Sequence, residues 1–435
     1  MDDERFPPEQ RPLVATLTLG CKLNQAESQA MGRELAAAGC AIIDRPAPAD
    51  GYLINTCTVT HVADRKARHL IRMARRLSPT AAIVVTGCYA ERARDRILAE
   101  TGADVVLGNG EKQGAAAALL SALEGRPSRS GLKGRDALGR ARAFLKIQEG
   151  CDDVCSFCIV PKVRGRERAI PISEIVREAQ SLERAGALEV VLTGTQPGAY
   201  GRDREDGTNA ARLLEALLSQ TTIPRIRYSS IQPQDVSAEF LAAWEDSRLC
   251  RHFHLALQSG SDAVLRRMRR RYDVPSYLEA VGRIRAAAAG AAITTDVIVG
   301  FPGETREDFE GTIAAAREVQ FADIHVFPYS ARPGTGAALL TDDVPPPIKR
   351  ERVQRVQAEA DSGAAKFRRA MVGSVVSVLC EMRKRDGGRT YWAGLTDTYA
   401  PVQVAAAGGE DLRNRLTAVC IESLRGGALA GRMLG

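Results

Sequence analysis

No run of apolar residues in this chain of 435 is long enough to span a bilayer, which excludes a transmembrane helix. The first residues, Met-Asp-Asp-Glu-Arg-Phe-Pro-Pro, lack the basic and then apolar build of a secretory signal. Ten cysteines over this length are too sparse for a disulfide scaffold, and their local spacing favours metal. Histidine is scarcer: the five residues are scattered, form no metal-like cluster and are assigned no role. One-sided charge is missing too. With 60 Lys+Arg against 53 Asp+Glu the net charge is +7, which permits a nucleic-acid partner without demanding one. These absences leave a globular protein of a reducing, cytoplasmic compartment with no membrane partner. A content of 45% hydrophobic and 26% charged residues fits that class. The length suggests roughly two to four domains, each with its own core.

The most informative stretch present is Cys-Asp-Asp-Val-Cys-Ser-Phe-Cys, residues 151–158, just after the strand-like Ala143–Ile147. Cys151, Cys155 and Cys158 stand in a C-x3-C-x2-C run, so their thiolates can converge on one metal centre from a single loop. A 4Fe-4S cubane given three protein sulfurs keeps one iron open to something that is not protein. The rival readings are a structural zinc loop or unrelated buried thiols. Zinc usually takes a fourth Cys or His, and none lies between Ala141 and Gln180 besides these three. The loop resembles that of the radical S-adenosylmethionine (SAM) enzymes. In that family the amino and carboxylate groups of SAM chelate the open iron, and an electron from the cluster releases a 5′-deoxyadenosyl radical. The resemblance also implies that Phe157, the aromatic residue before the third cysteine, lies near the adenine.

Residues 1–120 read as an α/β domain. Strand-like runs at Val14–Leu19, Gly51–Asn55, Ala82–Thr86 and Asp104–Leu107 alternate with helical patterns such as Ala26–Ala38 and Asp64–Leu77. That alternation argues a doubly wound parallel sheet, whose functional crevice lies beyond the carboxyl ends of its strands. Cys21, Cys57 and Cys88 each follow one of the first three strands, so the sheet would bring them to one edge as another three-thiolate site. Scattered cysteines are more often small buried hydrophobes. The words around these, Leu-Gly-Cys-Lys-Leu-Asn-Gln-Ala-Glu-Ser (19–28), Asn-Thr-Cys-Thr-Val-Thr (55–60) and Thr-Gly-Cys-Tyr-Ala (86–90), resemble the methylthiotransferases. These are radical-SAM enzymes whose N-terminal domain holds an auxiliary 4Fe-4S cluster. The words are most similar to the branch acting on N6-threonylcarbamoyladenosine in tRNA. The isopentenyladenosine branch usually has a Gly-Cys-Gln-Met-Asn word, and the branch modifying a ribosomal protein usually has Gly-Cys-Pro-Lys-Asn. Arg65, Arg68, Arg72 and Arg76 share one face of the 64–77 helix, with Ala67, Leu70, Ile71, Ala74 and Leu77 opposite. That basic face either is simply solvated or meets RNA phosphates.

Residues 121–142, rich in Gly, Arg and Ser, read as a basic linker. The stretch 143–365 has six strand-like runs: Ala143–Ile147, Glu189–Thr193, Arg225–Ser229, His252–Leu257, Ile293–Val299 and Ala322–Phe327. Helical patterns separate them, and the order resembles the partial (β/α)6 radical-SAM barrel. Chemistry then belongs at the strands' C-terminal ends. Leu-Thr-Gly-Thr-Gln (192–196), Tyr-Ser-Ser (228–230), Leu-Gln-Ser-Gly-Ser (257–261) and Val-Gly-Phe-Pro-Gly-Glu (299–304) fall there. Gly194, Ser229, Gln258 and Gly300 are therefore candidate SAM contacts, although Gly and Ser also simply make turns. Arg266, Arg267, Arg269, Arg270 and Arg271 crowd one stretch, and Arg164, Arg166 and Arg168 follow the cysteine loop. Such density suits RNA phosphate, with a solvated charge run as the alternative.

Residues 366–435 follow a charged helical pattern at Ile348–Arg369. They carry strand-like runs at Ser374–Glu381, Thr390–Thr396, Val402–Val404 and Leu416–Ser423. These suggest a small β-barrel of OB-related type, and the resemblance places an RNA-gripping TRAM-like domain here. Tyr391, Trp392 and Tyr399 either stack bases or fill its core. Cys380 and Cys420 read as ordinary buried thiols.

The resemblance implies methylthiolation at C2 of N6-threonylcarbamoyladenosine beside the tRNA anticodon. It implies two 4Fe-4S clusters, SAM, an electron donor such as flavodoxin or ferredoxin, and a sulfur donor of unknown identity. Beyond the cluster ligands it assigns no catalytic acid or base. The rivals are a methylthiotransferase for isopentenyladenosine or a ribosomal-protein aspartate, a non-catalytic iron–sulfur RNA-binding protein, and a structural zinc protein.

Overall fold

The computed structural model describes residues 11–126, 141–386, 389–405 and 410–434. Most of the expected linker lies outside these. The chain divides into two compact units. One comprises 1–139, 149–152 and 158–167; the other comprises 140–148, 153–157 and 168–435.

The first unit is built on five parallel strands, β1 (Leu13–Thr18), β2 (Ala41–Ile43), β3 (Gly51–Thr56), β4 (Ala82–Gly87) and β5 (Val105–Val106), in the order β2-β1-β3-β4-β5. Helices cover both faces, as the near-continuous apolar runs in β3 and β4 require of a doubly buried sheet. Met31 and Leu35 of α1 (Lys22–Ala37) and Leu119 of α4 (Ala115–Leu123) pack with Val14, Leu53 and Val84 on one side. On the other, Ala67, Ile71 and Ala74 of α2 (His61–Leu77) and Ile97 of α3 (Cys88–Thr101) pack with Ala15, Ile54 and Val85. The edge strand β2 has only three residues and was not anticipated from the sequence.

In the second unit β6 (Arg142–Lys146) is followed by two short strands, β7 (Gln148–Glu149) and β8 (Arg168–Ala169). Then come β9 (Glu189–Thr193), β10 (Arg225–Tyr228), β11 (His252–His254), β12 (Ala292–Val299) and β13 (Asp323–Pro328). Strands β6, β9 and β10 form one parallel sheet and β11, β12 and β13 another. Single bridges Ile226–Leu249 and Ile231–Leu255 continue the pairing between them. The order β6-β9-β10-β11-β12-β13 is the six-stranded arc expected of a partial (β/α)6 barrel. Alternate residues point to opposite faces. Leu145, Val190, Ile226, Phe253, Val297 and Ile324 face the helices in one core, leaving Arg142, Glu189, Arg227, His254, Asp296 and His325 on the inner face.

That inner face is concave. Adjacent strands lie about 4.8 Å apart, yet side chains from three of them reach one ring. Tyr399 has the Arg227 guanidinium 3.8 Å and the Arg142 guanidinium 5.4 Å from its centroid, and the His252 ring at 4.7 Å. Beneath it Glu189 is fully buried, accepting from Arg142 at 2.8 Å and Arg227 at 2.9 Å, with Arg225 at 3.5 Å. Burial alone would raise the Glu189 carboxyl, but the three guanidinium groups outweigh it and hold it at about 2.

Tyr399 comes from a closed five-stranded barrel, β14 (Val375–Asp386), β15 (Arg389–Thr396), β16 (Pro401–Ala405), β17 (Arg415–Arg425) and β18 (Ala428–Met433), in the order β14-β15-β16-β18-β17. It follows a helix at Pro346–Arg369. Of the two readings of the aromatics here, the core one holds for Trp392, while Tyr391 is half-buried. Trp392 lies in the barrel core with its indole donating to the Glu410 carbonyl at 3.1 Å, and Tyr399 serves the arginine network. Cys380 is buried as expected, while Cys420 is only half-buried.

Candidate functional site

In the first unit Cys21 is the N-cap of α1, Cys57 follows β3, and Cys88 is the first residue of α3. All three therefore stand where parallel strands give way to helices, at one rim of the sheet. The glycines before two of them explain the Gly-Cys words. Gly20 has φ 104°, and a Cβ there would sit 2.7 Å from the Cys57 Cβ and 3.0 Å from its Sγ. Gly87, at φ 100°, passes so close to the Thr56 backbone that no side chain fits. Only glycine lets the strand ends close to this distance. Burial, reinforced by Cys88 and Cys21, pushes the Cys57 thiol up to about 11. A thiolate in such a place requires a cation, and a metal deprotonates its thiols outright.

The polar groups round the rim fit that demand. Arg164 directs Nε at the Cys88 Sγ at 3.3 Å, and the Asn109 amide lies 3.8 Å from the same sulfur. Asn24, next to Cys21, donates to the Leu19 carbonyl at 2.8 Å and the Thr56 carbonyl at 3.0 Å, tying two cysteine-bearing loops together. Arg164 is 3% exposed and is fixed by Glu27 at 2.9 Å, Glu149 at 3.0 Å and the Asn24 Oδ1 at 2.6 Å. Lys112 adds a second cation on Glu27 at 2.6 Å. The expectation that Arg164 guides RNA is thereby corrected: the side chain is buried and its donors are spent on Cys88, Glu27, Glu149 and Asn24.

By the division of the chain, Cys151 and Cys158 fall in the first unit and Cys155 in the second. In the first, the Cys151 N–H donates to the Gly165 carbonyl at 3.1 Å, and the Val160 N–H donates to the Cys158 Sγ at 3.4 Å. In the second, Arg270 donates to the Cys155 Sγ at 3.0 Å, and to Gln232 at 2.7 Å and the Tyr272 hydroxyl at 3.1 Å. Amide and guanidinium donors aimed at sulfur favour thiolates, so both donor sets fit iron–sulfur ligation. Arg270 is the second correction, since it faces a cysteine of the loop rather than outward to RNA.

Of the other basic candidates, Arg65 and Arg269 are exposed. Arg166 is exposed and paired with Asp152 at 2.7 Å. Arg72 meets Glu100, and Arg68 is half-buried on the Tyr89 hydroxyl at 2.8 Å. Among the candidate SAM contacts, Phe157 packs on Val264, Met268 and Phe301. Gly194 lies against Gln148, and Ser229 is buried beyond β10. Gln258 takes φ 64°, and the Gly300 N–H donates to the Glu304 carboxylate at 2.6 Å.

The sequence reading missed one constellation. It found no histidine cluster, yet His254, Asp296 and His325, on three neighbouring strands, bring one ligand-type atom each to within 4.8 Å of one another. The signal was period two along β11, β12 and β13, which puts all three on the inner face.

No described helix is long and apolar enough to cross a membrane. Two family descriptions match, "Radical SAM superfamily" over residues 145–316 and "Uncharacterized protein family UPF0004" over 13–108. A threonylcarbamoyladenosine tRNA methylthiotransferase of Bacillus subtilis is 38% identical, over 94% of this chain and 93% of that one. One from Thermotoga maritima is 35% identical, over 84% and 85%. A tRNA-2-methylthio-N6-dimethylallyladenosine synthase of Acidothermus cellulolyticus is 38% identical, over 83% and 76%. Among solved structures, the radical-SAM methyltransferase TsrM from Kitasatospora setae aligns with TM-score 0.55 and 16% identity, covering 76% of this chain and 77% of that one, a likeness of fold. The two matched regions, the two cysteine sets and the near-full-length relatives agree: the chain belongs to the radical-SAM methylthiotransferase family.

Proposed function

We propose that this enzyme adds a methylthio group to C2 of N6-threonylcarbamoyladenosine next to the anticodon of tRNA. Cys151, Cys155 and Cys158 hold the cluster that binds SAM, and Cys21, Cys57 and Cys88 hold an auxiliary one. Loaded, the first supplies the electron for SAM cleavage and the second a place for the transferred sulfur. The chain's own groups do the rest. Arg270 and the Val160 N–H donate to sulfurs of the SAM loop, and Arg164 donates to the Cys88 sulfur. The phenylalanine Phe157 is fixed by packing at the loop's end.

The observation that carries the reading is the meeting of Cys21, Cys57 and Cys88 at one sheet rim, each after a strand, with Gly20 closed onto Cys57. An ordinary radical-SAM enzyme needs no such second set. The acceptor base rests on the words Gly-Cys-Lys-Leu-Asn-Gln and Asn-Thr-Cys-Thr-Val-Thr, together with the relatives named for threonylcarbamoyladenosine. A second acceptor, the isopentenyl-type adenosine, is favoured by the equal 38% identity of the Acidothermus relative. Nucleoside analysis of tRNA from a deletion strain decides between them. Loss of 2-methylthio-N6-threonylcarbamoyladenosine is the expected result, and loss of the isopentenyl counterpart instead would replace this acceptor.

A further inference from the structure

The inner face of the strand arc carries a polar layer that neither cysteine set uses. His254 lies on β11, Asp296 on β12 and His325 on β13. Asp296 gives one oxygen to each ring, Oδ1 to His325 Nδ1 at 3.2 Å and Oδ2 to His254 Nε2 at 3.3 Å. The rings stack with centroids 5.7 Å apart. Thr294 orients His254 from behind through Nδ1 at 3.1 Å. Burial would raise the Asp296 carboxyl, but the two imidazoles outweigh it and keep it ionised. With a separate oxygen on each ring, the arrangement is a hydrogen-bonding array rather than a convergent metal nest.

The layer is open on one side. Side-chain exposure rises from 11% at His254 through 34% at Asp296 to 57% at His325. The outer faces of these strands pack on helices, so the exposed atoms look into the hollow. The Asp296 carbonyl accepts the N–H of Gln258 at 2.9 Å, which puts the layer directly below a candidate SAM contact. Polar groups on the wall of a hollow cost free energy when an apolar guest desolvates them, and pay back only against polar partners.

We propose that His254, Asp296 and His325 form the subsite for the N6 substituent of the acceptor adenosine and select a polar one. A threonylcarbamoyl group brings ureido N–H donors for the remaining lone pairs of Asp296, and a hydroxyl and carboxylate for the outward Nε2 of His325, which Asp323 approaches only to 3.7 Å. His254, held at both nitrogens, positions Asp296. An isopentenyl group brings no hydrogen-bonding atom and would desolvate the exposed Asp296 and His325 with nothing in return. The inference rests on the acceptor reading above and supplies a specificity determinant for it.

The test measures Kd by fluorescence anisotropy on reconstituted full-length enzyme. Two synthetic anticodon stem-loops are compared, identical except for N6-threonylcarbamoyl or N6-isopentenyl adenosine. Wild type is set beside His325→Phe, which keeps a ring on an exposed position, and Asp296→Asn, which keeps the shape. Iron and sulfide content normalise the folded fraction. A site built on hydrogen bonds discriminates strongly against a guest lacking them, so the preference for the threonylcarbamoyl RNA is expected to fall about tenfold or more in each variant. If both Kd values move together and the ratio stays at its wild-type value, the layer is structural and the inference is overturned. A wild type that itself prefers the isopentenyl RNA overturns the acceptor reading beneath it, a distinct failure visible before any variant is made.

Discussion

On the proposed reading, the two cysteine sets reach similar chemistry by opposite routes. Cys151, Cys155 and Cys158 lie within one short loop, whereas Cys21, Cys57 and Cys88 are scattered along the first unit and are gathered by three parallel strands ending at the same rim. Each set has a guanidinium on one sulfur, and the two arginines are embedded differently. Arg164 at Cys88 is matched by Glu27 and Glu149 in a buried network. Arg270 at Cys155 has the neutral partners Gln232 and Tyr272. The assembled site thus has its electrostatics wired into the fold of its domain. In the local one, the positive charge is left to the sulfur it touches.

The sharpest way to break this comparison is to remove one set at a time. A Cys151/Cys155/Cys158→Ala variant should lose all 5′-deoxyadenosine formation from SAM, with iron falling from about eight to about four per chain. A Cys21/Cys57/Cys88→Ala variant should lose the same number of irons and keep SAM cleavage, while methylthiolation disappears. Anaerobic iron and sulfide assays with chromatography of the SAM products read both. Four irons in the wild type, falling to none in the first variant, would leave the rim cysteines as plain thiols.

Next in size is the contrast between the arginines. Arg164→Met removes the guanidinium from the buried Glu149 and from Glu27, which keeps Lys112, and breaking a buried pair typically costs about 3–5 kcal/mol. Urea denaturation of the apoprotein should show that loss. Arg270→Met leaves no carboxylate stranded, so its stability cost should be smaller. Its effect should appear in the SAM-site cluster, whose midpoint potential falls when a hydrogen bond to a ligand sulfur is lost. Equal destabilisation by both changes would erase the distinction.

Glu189 inverts the Arg164 arrangement, with several guanidinium groups on one carboxylate. Its folded value of about 2 lies below the unfolded one of about 4.3. A depressed carboxyl contributes stability above its unfolded value and loses it as pH falls toward its folded value. Wild type should therefore lose urea resistance between about pH 4 and pH 2 more steeply than Glu189→Gln, which is weaker at neutral pH and has no such proton to take up. Parallel acid limbs for the two proteins would show that the network is not what titrates.

The same contrast governs what could be read from sequence. The loop at 151–158 is legible because its ligands are neighbours, and the strands of both sheets are legible because apolar runs alternate with helical periodicity. Cys21, Cys57 and Cys88 become a site only once the strands are known to be parallel and adjacent, which the βα alternation implies. Arg164 and Arg270 were misjudged because a dense basic run looks the same whether its members face solvent or a buried partner. Burial is decided by packing against Glu27, Gln232 and other distant residues. His254, Asp296 and His325 escaped notice for a similar reason. Their proximity is a matter of register between β11, β12 and β13, which pairs His254 with Thr294 and Asp296 with His325.

The smallest expected effect separates surface arginines from buried ones. Arg166 has an 89% exposed side chain and one ion pair, to Asp152 at 2.7 Å. It lies two residues from Arg164, so sequence proximity cannot distinguish them. An exposed pair of this kind contributes roughly 0–1 kcal/mol, and Arg166→Ser should leave the urea midpoint nearly unchanged. If Arg166 meets phosphate on tRNA, the slope of log K against log salt should become shallower by roughly 0.7–0.9, the value for one contact. Affinity should then fall equally for threonylcarbamoylated and unmodified stem-loops, because a phosphate contact carries no base information. An unchanged slope would remove Arg166 from the RNA path and leave Arg65 and Arg269 as the exposed candidates to test next.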